Sequence, residues 1–534
     1  MRVLLLYLSD SNDRREFSTT IAPISLFSIA AFLEKEGHEV TAANFSHVGF
    51  KKAVKLIAES APDAVGISLL THNRTDSLRL TKEIRKALPS VTIFAGGPHA
   101  TVLAHEIAAR HPEIDYIIRG EAETVLPSIL SKDARPPRGI VEAAPVEDLS
   151  SLPSPASFAG RCRGINVNEQ FKFIHAGRGH GSEWLCRYAD SPFASRFRSA
   201  EAIVDEIESA HRRYGIIFFS FRDELFMNSR QLVLDVCRGI RERGLYIMWS
   251  AQSTHRQVDF SLLVEMKRAG CERLLLAAES GSPKILARHN PSITVEDILR
   301  ASAEIRKAGL YLSFYLTTGL TEERHADILK TVRLIRQALP GDGIVAPAVY
   351  YPGSPACTDA LANGTLSFAQ FFSAKEKGVY IRTGLETREW AAELKNALSI
   401  IREKSWYTAK EFRAHRAAAG STWVAEILEG DFHLDRDDLR RAEEHYSNVI
   451  SMSQNNPWGY LRMGKLRFRA GDFPSAEGYY CKVTEVIPSY YGGWLKMCES
   501  QVAQNKRKEA RASLECAWER NKWDPRVANL RKVL

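Results

Sequence analysis

The first part of the chain alternates short apolar runs with amphipathic stretches. Five runs have the length of strands, and the stretches between them, such as ISLFSIAAFLEKEG, carry apolar residues at helical spacing. Strands that alternate with helices in this way predict a parallel sheet with helices on both faces. We assign residues 1–140 to this α/β domain, with strands at RVLLLYL, HEVTAANF, AVGISLL, VTIFAGG and DYIIRG.

The alternation resumes after a linker at 141–164, which contains the proline- and serine-bearing segment VEDLSSLPSPA. Residues 165–385 again place apolar runs between helical stretches, among them LYIMWSAQSTHR and YLSFYLTTGL. This pattern predicts a partial or full βα barrel. The chemistry of such a fold is expected on the loops at the carboxyl ends of its strands.

A different period begins near residue 431. Ala442, Ala476 and Ala510 recur every 34 residues, which predicts stacked helical pairs over 431–534 after a helical connector at 386–430. The segment resembles tetratricopeptide (TPR) repeats, and such repeats present a concave surface to a protein or peptide partner. The alternatives are that the helices pack against the barrel or form a dimer contact.

Composition narrows the class of protein. Of 534 residues, 45% are apolar and 25% are charged, and the net charge of +8 is spread without long basic runs, so we expect no nucleic-acid partner. Apolar runs are far shorter than the roughly 18 residues of a membrane span, and we expect no membrane association. Eight cysteines without a CxxC pair indicate reduced thiols and a cytoplasmic protein. MRVLLLYL is interpreted as a buried strand rather than a signal peptide.

Candidate ligand-binding loops follow the strands of the first domain, because parallel sheets bind ligands at the carboxyl ends of their strands. These loops contain the segments SLLT, GGPHAT and RGEAE. SxL followed by GG, GGPHAT and RGEAE resemble the cobalamin-binding domain of methionine synthase, of mutases and of cobalamin-dependent radical S-adenosylmethionine (SAM) proteins. The resemblance implies that cobalamin is bound by Ser68, Leu70, Thr71, Gly96, Gly97, Pro98, His99, Gly120 and Glu121.

The resemblance also implies how cobalt is held. The wider family supplies a histidine ligand from a DxHxxG motif, whereas this chain has SDSNDRREFSTTIAP, without histidine, at that place. The radical SAM subgroup binds cobalamin base-off, with neither a histidine nor the cofactor's own base on the metal. We therefore expect base-off cobalamin, with His99 as a loop or pocket residue rather than a cobalt ligand.

The second region resembles the radical SAM core over nearly its whole length, at WSAQSTHR, MKRAGCERLLLAAESGS and YYPGSP. The resemblance implies SAM near Glu279, Ser280 and Gly319, since Glu279 matches the acidic residue of the family's GVESGS. Alternatively, Glu279 only caps the turn that follows. The family's GLPGET is altered to GLTEER here, which makes SAM binding less secure than the fold.

The loop HAGRGHGSEWLCRYADSPF departs most from the family. Relatives carry SRGCPxxCxFC there, and three thiolates hold a [4Fe-4S] cluster. Alignment on Arg178 and Gly179 puts His180, Trp184 and Arg187 at the cysteine positions, and Cys186 is the single thiol in the loop. Tryptophan is no metal ligand and arginine is cationic, so we expect the cluster and ordinary radical SAM chemistry to be lost.

Two other roles for this loop remain open. His175, His180 and Cys186 have side chains suited to a mononuclear metal site. Alternatively, the loop lines a substrate pocket, in which Trp184 packs and Arg178 or Arg187 faces an anion.

Three functions follow from these expectations. The first is a cobalamin-dependent enzyme that transfers a methyl group to a small molecule without a radical, or carries out another cobalt-based reaction on it. Glu279 and YYPGSP favour this hypothesis. The second is a non-catalytic cobalamin sensor or scaffold that acts through its repeats. The third is a conventional cobalamin-dependent radical SAM methyltransferase or cyclase whose cluster is assembled otherwise.

Overall fold

The computed structural model describes residues 1–9, 20–179, 195–223, 226–373, 379, 381–382 and 384–534. Within these residues the chain forms two parallel sheets with flanking helices and an all-helical C-terminal region. This confirms the α/β fold class with a helical extension. No helix of the described residues is both long and apolar enough to cross a bilayer.

The first sheet has seven strands in the order β6-β5-β4-β3-β1-β2-β7, and all neighbours are parallel. Its central strand β1 is buried from Val3 to Tyr7, as expected for a strand covered on both faces. The strands are β1 Arg2–Tyr7, β2 Glu39–Asn44, β3 Ala64–Ser68, β4 Thr92–Gly96, β5 Tyr116–Gly120, β6 Gly139–Ala143 and β7 Arg161–Arg163.

The helices of this domain are α1 Ile24–Lys35, α2 Phe50–Ser60, α3 Arg74–Ala87, α4 Pro98–Val102, α5 Ala104–Arg110 and α6 Leu126–Ile129. Two edge strands were not among the five that the pattern predicts. β6 crosses the proposed boundary at residue 140, and β7 lies in the segment proposed as a linker. Both are short, and neither has the apolar run of a central strand.

The second sheet has six parallel strands in the order β15-β14-β13-β12-β11-β8. Among the described strands β8 and β15 are edges, so this is the partial form of the predicted barrel. Its strands are β8 Phe173–Ile174, β11 Phe218–Phe221, β12 Met248–Ser253, β13 Cys271–Glu279, β14 Tyr311–Thr318 and β15 Asp342–Pro347, and a hairpin pairs β9 Gly177–Arg178 with β10 Arg196–Phe197.

The helices of this second region precede or follow its strands. They are α7 Val167–Gln170, α8 Ala200–Tyr214, α9 Arg230–Glu242, α10 Phe260–Arg268, α11 Pro283–His289, α12 Val295–Lys307, α13 His325–Ala338 and α14 Pro355–Ala362.

The C-terminal region begins with α15 Leu385–Ser405 and α16 Ala409–Ala419. Helical pairs follow, and their first helices begin at residues 423, 457 and 491, a spacing of 34, with a last helix at 525. The helices are α17 Trp423–Asp435, α18 Leu439–Met452, α19 Pro457–Arg469, α20 Phe473–Val486, α21 Tyr491–Ala503, α22 Arg507–Arg520 and α23 Pro525–Val533.

Small residues at equivalent places explain the close approach within these pairs. A Cβ added to Gly430 would lie 2.4 Å from the Tyr446 ring, and one added to Gly464 would lie 2.5 Å from the Tyr480 ring. In the first two pairs, glycine therefore lets the first helix rest on a tyrosine of the second.

The helical pairs pack on the amino ends of the second sheet. The Trp458 indole N–H donates to the carbonyl of Tyr246 at 2.9 Å, immediately before β12. Ile217 and Met248 share a buried cluster with Ile427 of α17. Of the roles left open for the repeats, packing against the barrel is thus seen for the first two pairs, and the carboxyl ends of the strands stay available to ligands.

Candidate functional site

A cavity of about 570 Å³ lies between the carboxyl ends of the two sheets. The first domain contributes Ser68 and Leu70 after β3 and Pro98 after β4, and the second contributes His175 after β8 and Gln252 of β12. The two loop edges expected to bind ligands therefore open into the same space.

The remaining wall of the cavity is largely apolar. Residues of the SLPSP segment line it, as does the chain that leads into α1: Leu149, Leu152, Pro153, Pro155, Ile21, Ala22, Pro23 and Ile24. The segment that joins the domains thus forms part of the site, and a ligand there would contact an apolar surface with a few polar groups, as is usual for cofactor sites.

Three glycines of the first domain differ in whether the fold itself requires them. Gly97 has φ +106°, and a Cβ there would lie 2.7 Å from the Leu69 carbonyl oxygen. Gly120 has φ +108°, and its Cβ would lie 2.2 Å from the carbonyl oxygen of Ala143. Both are required by the fold itself. A Cβ on Gly96 would meet only the Ile118 Cβ, at 3.9 Å, so this glycine leaves room beside the loop.

His99 and Thr71 are buried next to the cavity rather than among its lining residues. Their Nδ1 and Oγ1 atoms are 3.3 Å apart, and His99 Nε2 has no hydrogen-bond partner among the described residues. Burial, followed by the charges of Arg74 and His72, lowers the pKa of His99 to about 3. The imidazole is therefore neutral at physiological pH.

Ion pairs join the loop after β5 to the β9–β10 hairpin. The Glu121 carboxylate accepts from Arg196 at 2.6 Å and from the Val146 amide at 2.7 Å. Arg178 donates to Glu123 at 2.6 Å and lies 3.3 Å from Glu121. Burial opposes the charge of Arg178, but the two carboxylates more than offset this and raise its pKa.

These pairs refine two expectations from the sequence. Glu121, implied as a cobalamin contact, is engaged by two arginines of the hairpin. Arg178 does line the cavity, as expected for a pocket residue, but its charge already faces two carboxylates. An anionic substrate would have to compete with Glu121 and Glu123 for this guanidinium.

A second group of titratable side chains surrounds His175. The Asp223 carboxylate accepts from the amides of Ala176 and Gly177, the latter at 3.1 Å. Burial lowers the pKa of His175 although Asp223 opposes this, and burial raises the pKa of Asp223 although His175 opposes that. Arg198, also at the cavity, is paired with Glu206 at 2.6 Å. A neutral imidazole beside a carboxyl group can accept and release a proton.

Several of these residues were not predicted from the sequence. Arg222, Asp223 and Gln252 stand at or directly after the carboxyl ends of β11 and β12. Their position was the available signal, since polar residues that follow a parallel strand face the ligand edge. No motif distinguished them from ordinary loop residues.

The residues implied for SAM lie at the same edge of the second sheet but do not line the described cavity. Glu279 ends β13 with φ +55° and accepts from the Asn290 amide at 3.3 Å. Ser280 is buried, with its Oγ 3.4 Å from Thr331 Oγ1. Gly319 follows β14 with φ +80°.

The altered GLTEER loop is closed by a carboxylate. Glu323 is buried and accepts from the amides of Gly319 and Leu320 at 2.7 and 3.3 Å. Burial raises the pKa of Glu323 to about 7, although the two amides oppose the shift. The loop therefore has an internally hydrogen-bonded turn without the family's proline and second glycine.

Trp184 and Arg187, expected in the substrate pocket, lie outside the described residues, as do His180 and Cys186. In the sequence, these four residues fall between β9 and β10.

The other seven cysteines do not supply a thiolate set. Cys162 is in β7, Cys271 is the first residue of β13 at its amino end, and the rest lie in helices: Cys237, Cys357, Cys481, Cys498 and Cys516. Across the described ranges no three cysteines come together. The cysteines of the described residues therefore offer no set of three thiolates for a [4Fe-4S] cluster.

Comparison with protein families matches part of each sheet. Residues 14–130 match the B12 binding domain, and residues 184–335 match the radical SAM superfamily. The chain carries a B12-binding domain and a radical SAM domain. The radical SAM match begins at Trp184, inside the loop that lacks the three cysteines, and ends in α13.

Known proteins similar to this B12-binding radical SAM chain include methyltransferases and a cyclase. An uncharacterized methyltransferase of Pyrococcus horikoshii is 26% identical over 397 residues, 68% of this chain and 84% of the relative. The anaerobic magnesium-protoporphyrin IX monomethyl ester cyclase of Rubrivivax gelatinosus is 23% identical over 371 residues, 64% and 66% of the two chains. The cytidylyl-2-hydroxyethylphosphonate methyltransferase of Streptomyces wedmorensis is 24% identical over 356 residues, 53% and 66%.

Solved structures establish the same fold. The radical SAM methyltransferase TsrM of Kitasatospora setae, solved with cobalamin and a [4Fe-4S] cluster, superposes with a TM-score of 0.55 at 19% identity and covers 68% of this chain and 78% of its own. The cobalamin-dependent SAM radical enzyme OxsB, solved with aqua-cobalamin and SAM, gives a TM-score of 0.50 at 14% identity over 97% and 83%.

Proposed function

We propose that this protein is a cobalamin-dependent methyltransferase that acts on a small molecule by non-radical methyl transfer, without a [4Fe-4S] cluster. The observation that carries the proposal is the shared cavity. It brings Ser68, Leu70 and Pro98 of the B12-binding domain to His175, directly after β8 of the second sheet. The segment 180–194, which follows in the sequence, has a single cysteine.

Several features support cobalamin at this place. The cavity walls are largely apolar. Beside the cavity, the side of Gly96 that lacks a Cβ is open, and His99 Nε2 is unpartnered among the described residues. The segment SDSNDRREFSTTIAP offers no histidine to cobalt, which supports base-off binding. Bound cobalamin would supply a cobalt atom that accepts and donates a methyl group in two-electron steps.

The [4Fe-4S] cluster is excluded from the proposal by the chemistry of the loop. His180, Trp184 and Arg187 replace three thiolates, and a cationic arginine opposes an iron site. Reductive cleavage of SAM needs an electron from such a cluster, whereas polar methyl transfer does not. We therefore assign SAM the role of methyl donor, bound at the edge that holds Glu279, Ser280 and Gly319.

The chain's own residues would manage the proton. A nucleophilic atom that gains a methyl group loses the proton it carried. A ring nitrogen of His175 accepts this proton, because burial keeps the imidazole neutral and Asp223 stabilises its protonated form. The apolar wall from Leu149 to Pro155 excludes water from the reacting atoms.

Analysis of the products of SAM tests this function. The protein is loaded with hydroxocobalamin, reduced without oxygen and incubated with SAM. S-adenosylhomocysteine is expected in an amount close to that of the bound cobalamin, with no 5'-deoxyadenosine. Production of 5'-deoxyadenosine would contradict the proposal and favour a conventional radical SAM methyltransferase or cyclase, which the family match and the fold of TsrM make the second candidate.

A His175→Gln variant tests the proton acceptor. Glutamine keeps a polar side chain but cannot take up the proton, so methylation of a small thiol acceptor should slow about 10²-fold or more, while S-adenosylhomocysteine formation is kept. Since the pKa of His175 is lowered, the wild-type rate should hold at pH 7 and fall only below the ordinary histidine range near 6.5. Exposed His105 offers the matched control His105→Gln, and equal rates in the two variants would refute this role.

A further inference from the structure

A cluster of histidines and carboxylates lies within the first helical pair, outside the cavity described above. Glu429 and His433 are one turn apart on α17, and His445 is on the facing helix α18. One candidate ligand atom from each lies within 4.8 Å of the others, the only such group in the part of the chain that the structure describes. Glu429 and His433 are buried, and His445 is half-buried.

Both imidazoles are oriented by a carboxylate. Nδ1 of His445 lies 2.8 Å from Oε2 of Glu426, and Nδ1 of His433 lies 3.4 Å from Oδ2 of Asp438. Metal-binding histidines characteristically use their second ring nitrogen in this way. The remaining nitrogen of each ring is then the candidate ligand, and Nε2 of His445 is already 3.8 Å from Oε1 of Glu429.

We propose that Glu429, His433 and His445 bind a divalent cation of the zinc type, with water as the fourth ligand. Zinc takes imidazole nitrogen and carboxylate oxygen at about 2.0–2.2 Å in a tetrahedral arrangement, which places ligand atoms about 3.4 Å apart. The present separations need side-chain shifts of about 1 Å. The His433 and His445 rings are already stacked, with centroids 5.5 Å apart and planes inclined by 11°.

The other repeats show that packing does not require these residue types. Positions 34 residues on from the two histidines carry Arg467 and Tyr479, and positions 68 residues on carry Gln501 and Ser513. Ser513 donates to Gln501 at 2.8 Å. The repeat fold therefore brings these two positions together. In the third pair they are occupied by glutamine and serine, which hydrogen-bond to each other. Two histidines and a glutamate stand together in the first pair alone.

The neighbouring helix α16 contributes an arginine that is paired with the Glu429 carboxylate. Arg416 of α16 is ion-paired with Glu429. Binding of a metal ion would replace this pair, and the ion would then join α17 to α18 where the helical connector meets the repeats. The site would therefore stabilise the junction between the radical SAM domain and the helical region.

Zinc titration of the full-length protein tests the proposal. Metal-free protein is titrated with zinc chloride in competition with a chromophoric chelator at neutral pH. About one zinc per chain should depend on this site, and His433→Gln and His445→Gln should each weaken it at least about tenfold. His105→Gln, which removes an exposed histidine of α5, should leave the affinity unchanged.

Arg416→Gln gives a change of opposite sign. It frees Glu429 from its competing cation, so zinc should bind more tightly than to the wild type, whereas a purely structural ion-pair network would be weakened with no gain in metal affinity. Equal zinc binding by the wild type and a His433→Gln/His445→Gln double variant would overturn the proposal, because the ion would then be held elsewhere.

Thermal unfolding of the wild type keeps the test decisive if a variant folds poorly. A ligand that binds only the folded state raises the midpoint as its concentration exceeds the dissociation constant. Zinc at about 100-fold over its dissociation constant should raise the midpoint, and a chelator should reverse the rise. A wild type that takes up no zinc at micromolar concentrations would refute the site.

Discussion

Gly96 is the last residue of β4 and Gly97 follows it, but an added Cβ would clash at only one of the two positions. Gly97 needs a positive φ and has the Leu69 carbonyl oxygen 2.7 Å from the place of a Cβ. Gly96 has only the Ile118 Cβ at 3.9 Å. Gly97 is therefore required by the fold, whereas the open side of Gly96 is available to a ligand.

Alanine at each position should give opposite results. Gly97→Ala should lower the free energy of unfolding by about 1–3 kcal/mol, because it combines strained backbone with a steric clash. Gly96→Ala should keep stability within about 0.5 kcal/mol and weaken cobalamin binding. Urea unfolding and equilibrium dialysis with hydroxocobalamin measure the two effects. Wild-type cobalamin affinity in Gly96→Ala would show that no ligand approaches this glycine.

At the scale of elements, the β9–β10 hairpin is held to the B12-binding domain by carboxylates. Glu123 is 4% exposed and meets Arg178 at 2.6 Å, while Glu121 meets Arg196 at 2.6 Å. Breaking a buried pair leaves a charge without compensation, which costs more than the loss of an exposed pair. These pairs therefore fix the hairpin to the first domain beside the cavity, which Arg178 lines.

Arg178→Gln should therefore destabilise the protein by about 1–3 kcal/mol in urea unfolding, since Glu123 is left buried without its cation. Arg2→Gln is the matched control, because Arg2 and Asp63 form an exposed pair at 3.8 Å, and it should change stability by less than about 0.5 kcal/mol. Equal losses in the two variants would mean that the hairpin is not held by these charges.

Elements with strong periodicity could be predicted from the sequence, and short polar ones could not. The five apolar strands and the 34-residue helical period are explicit in the pattern, because each buries one regular face. β6 and β7 were missed since edge strands of three to five residues carry little periodicity. Ser68, Leu70 and Pro98, which line the cavity, were predicted through motifs, whereas Arg222 and Gln252 became visible only when tertiary structure brought their strand ends to the cavity.

For the whole molecule, two interfaces on opposite ends of the second sheet define the site. The helical pairs cover the amino ends of its strands, as the bond from Trp458 to Tyr246 shows, 212 residues away in the chain. The B12-binding domain and the SLPSP segment face the carboxyl ends. Such pairings could not be predicted, because an apolar face does not specify which other face will cover it.

We propose that the chain binds cobalamin on a radical SAM scaffold without an iron–sulfur cluster. Anaerobic reconstitution with iron, sulfide and hydroxocobalamin, followed by metal analysis and an absorption spectrum, tests it most directly. We predict about one cobalamin per chain, with iron no higher than in a control lacking sulfide. About four irons per chain with the absorption of a [4Fe-4S] cluster, or no bound cobalamin, would contradict this account.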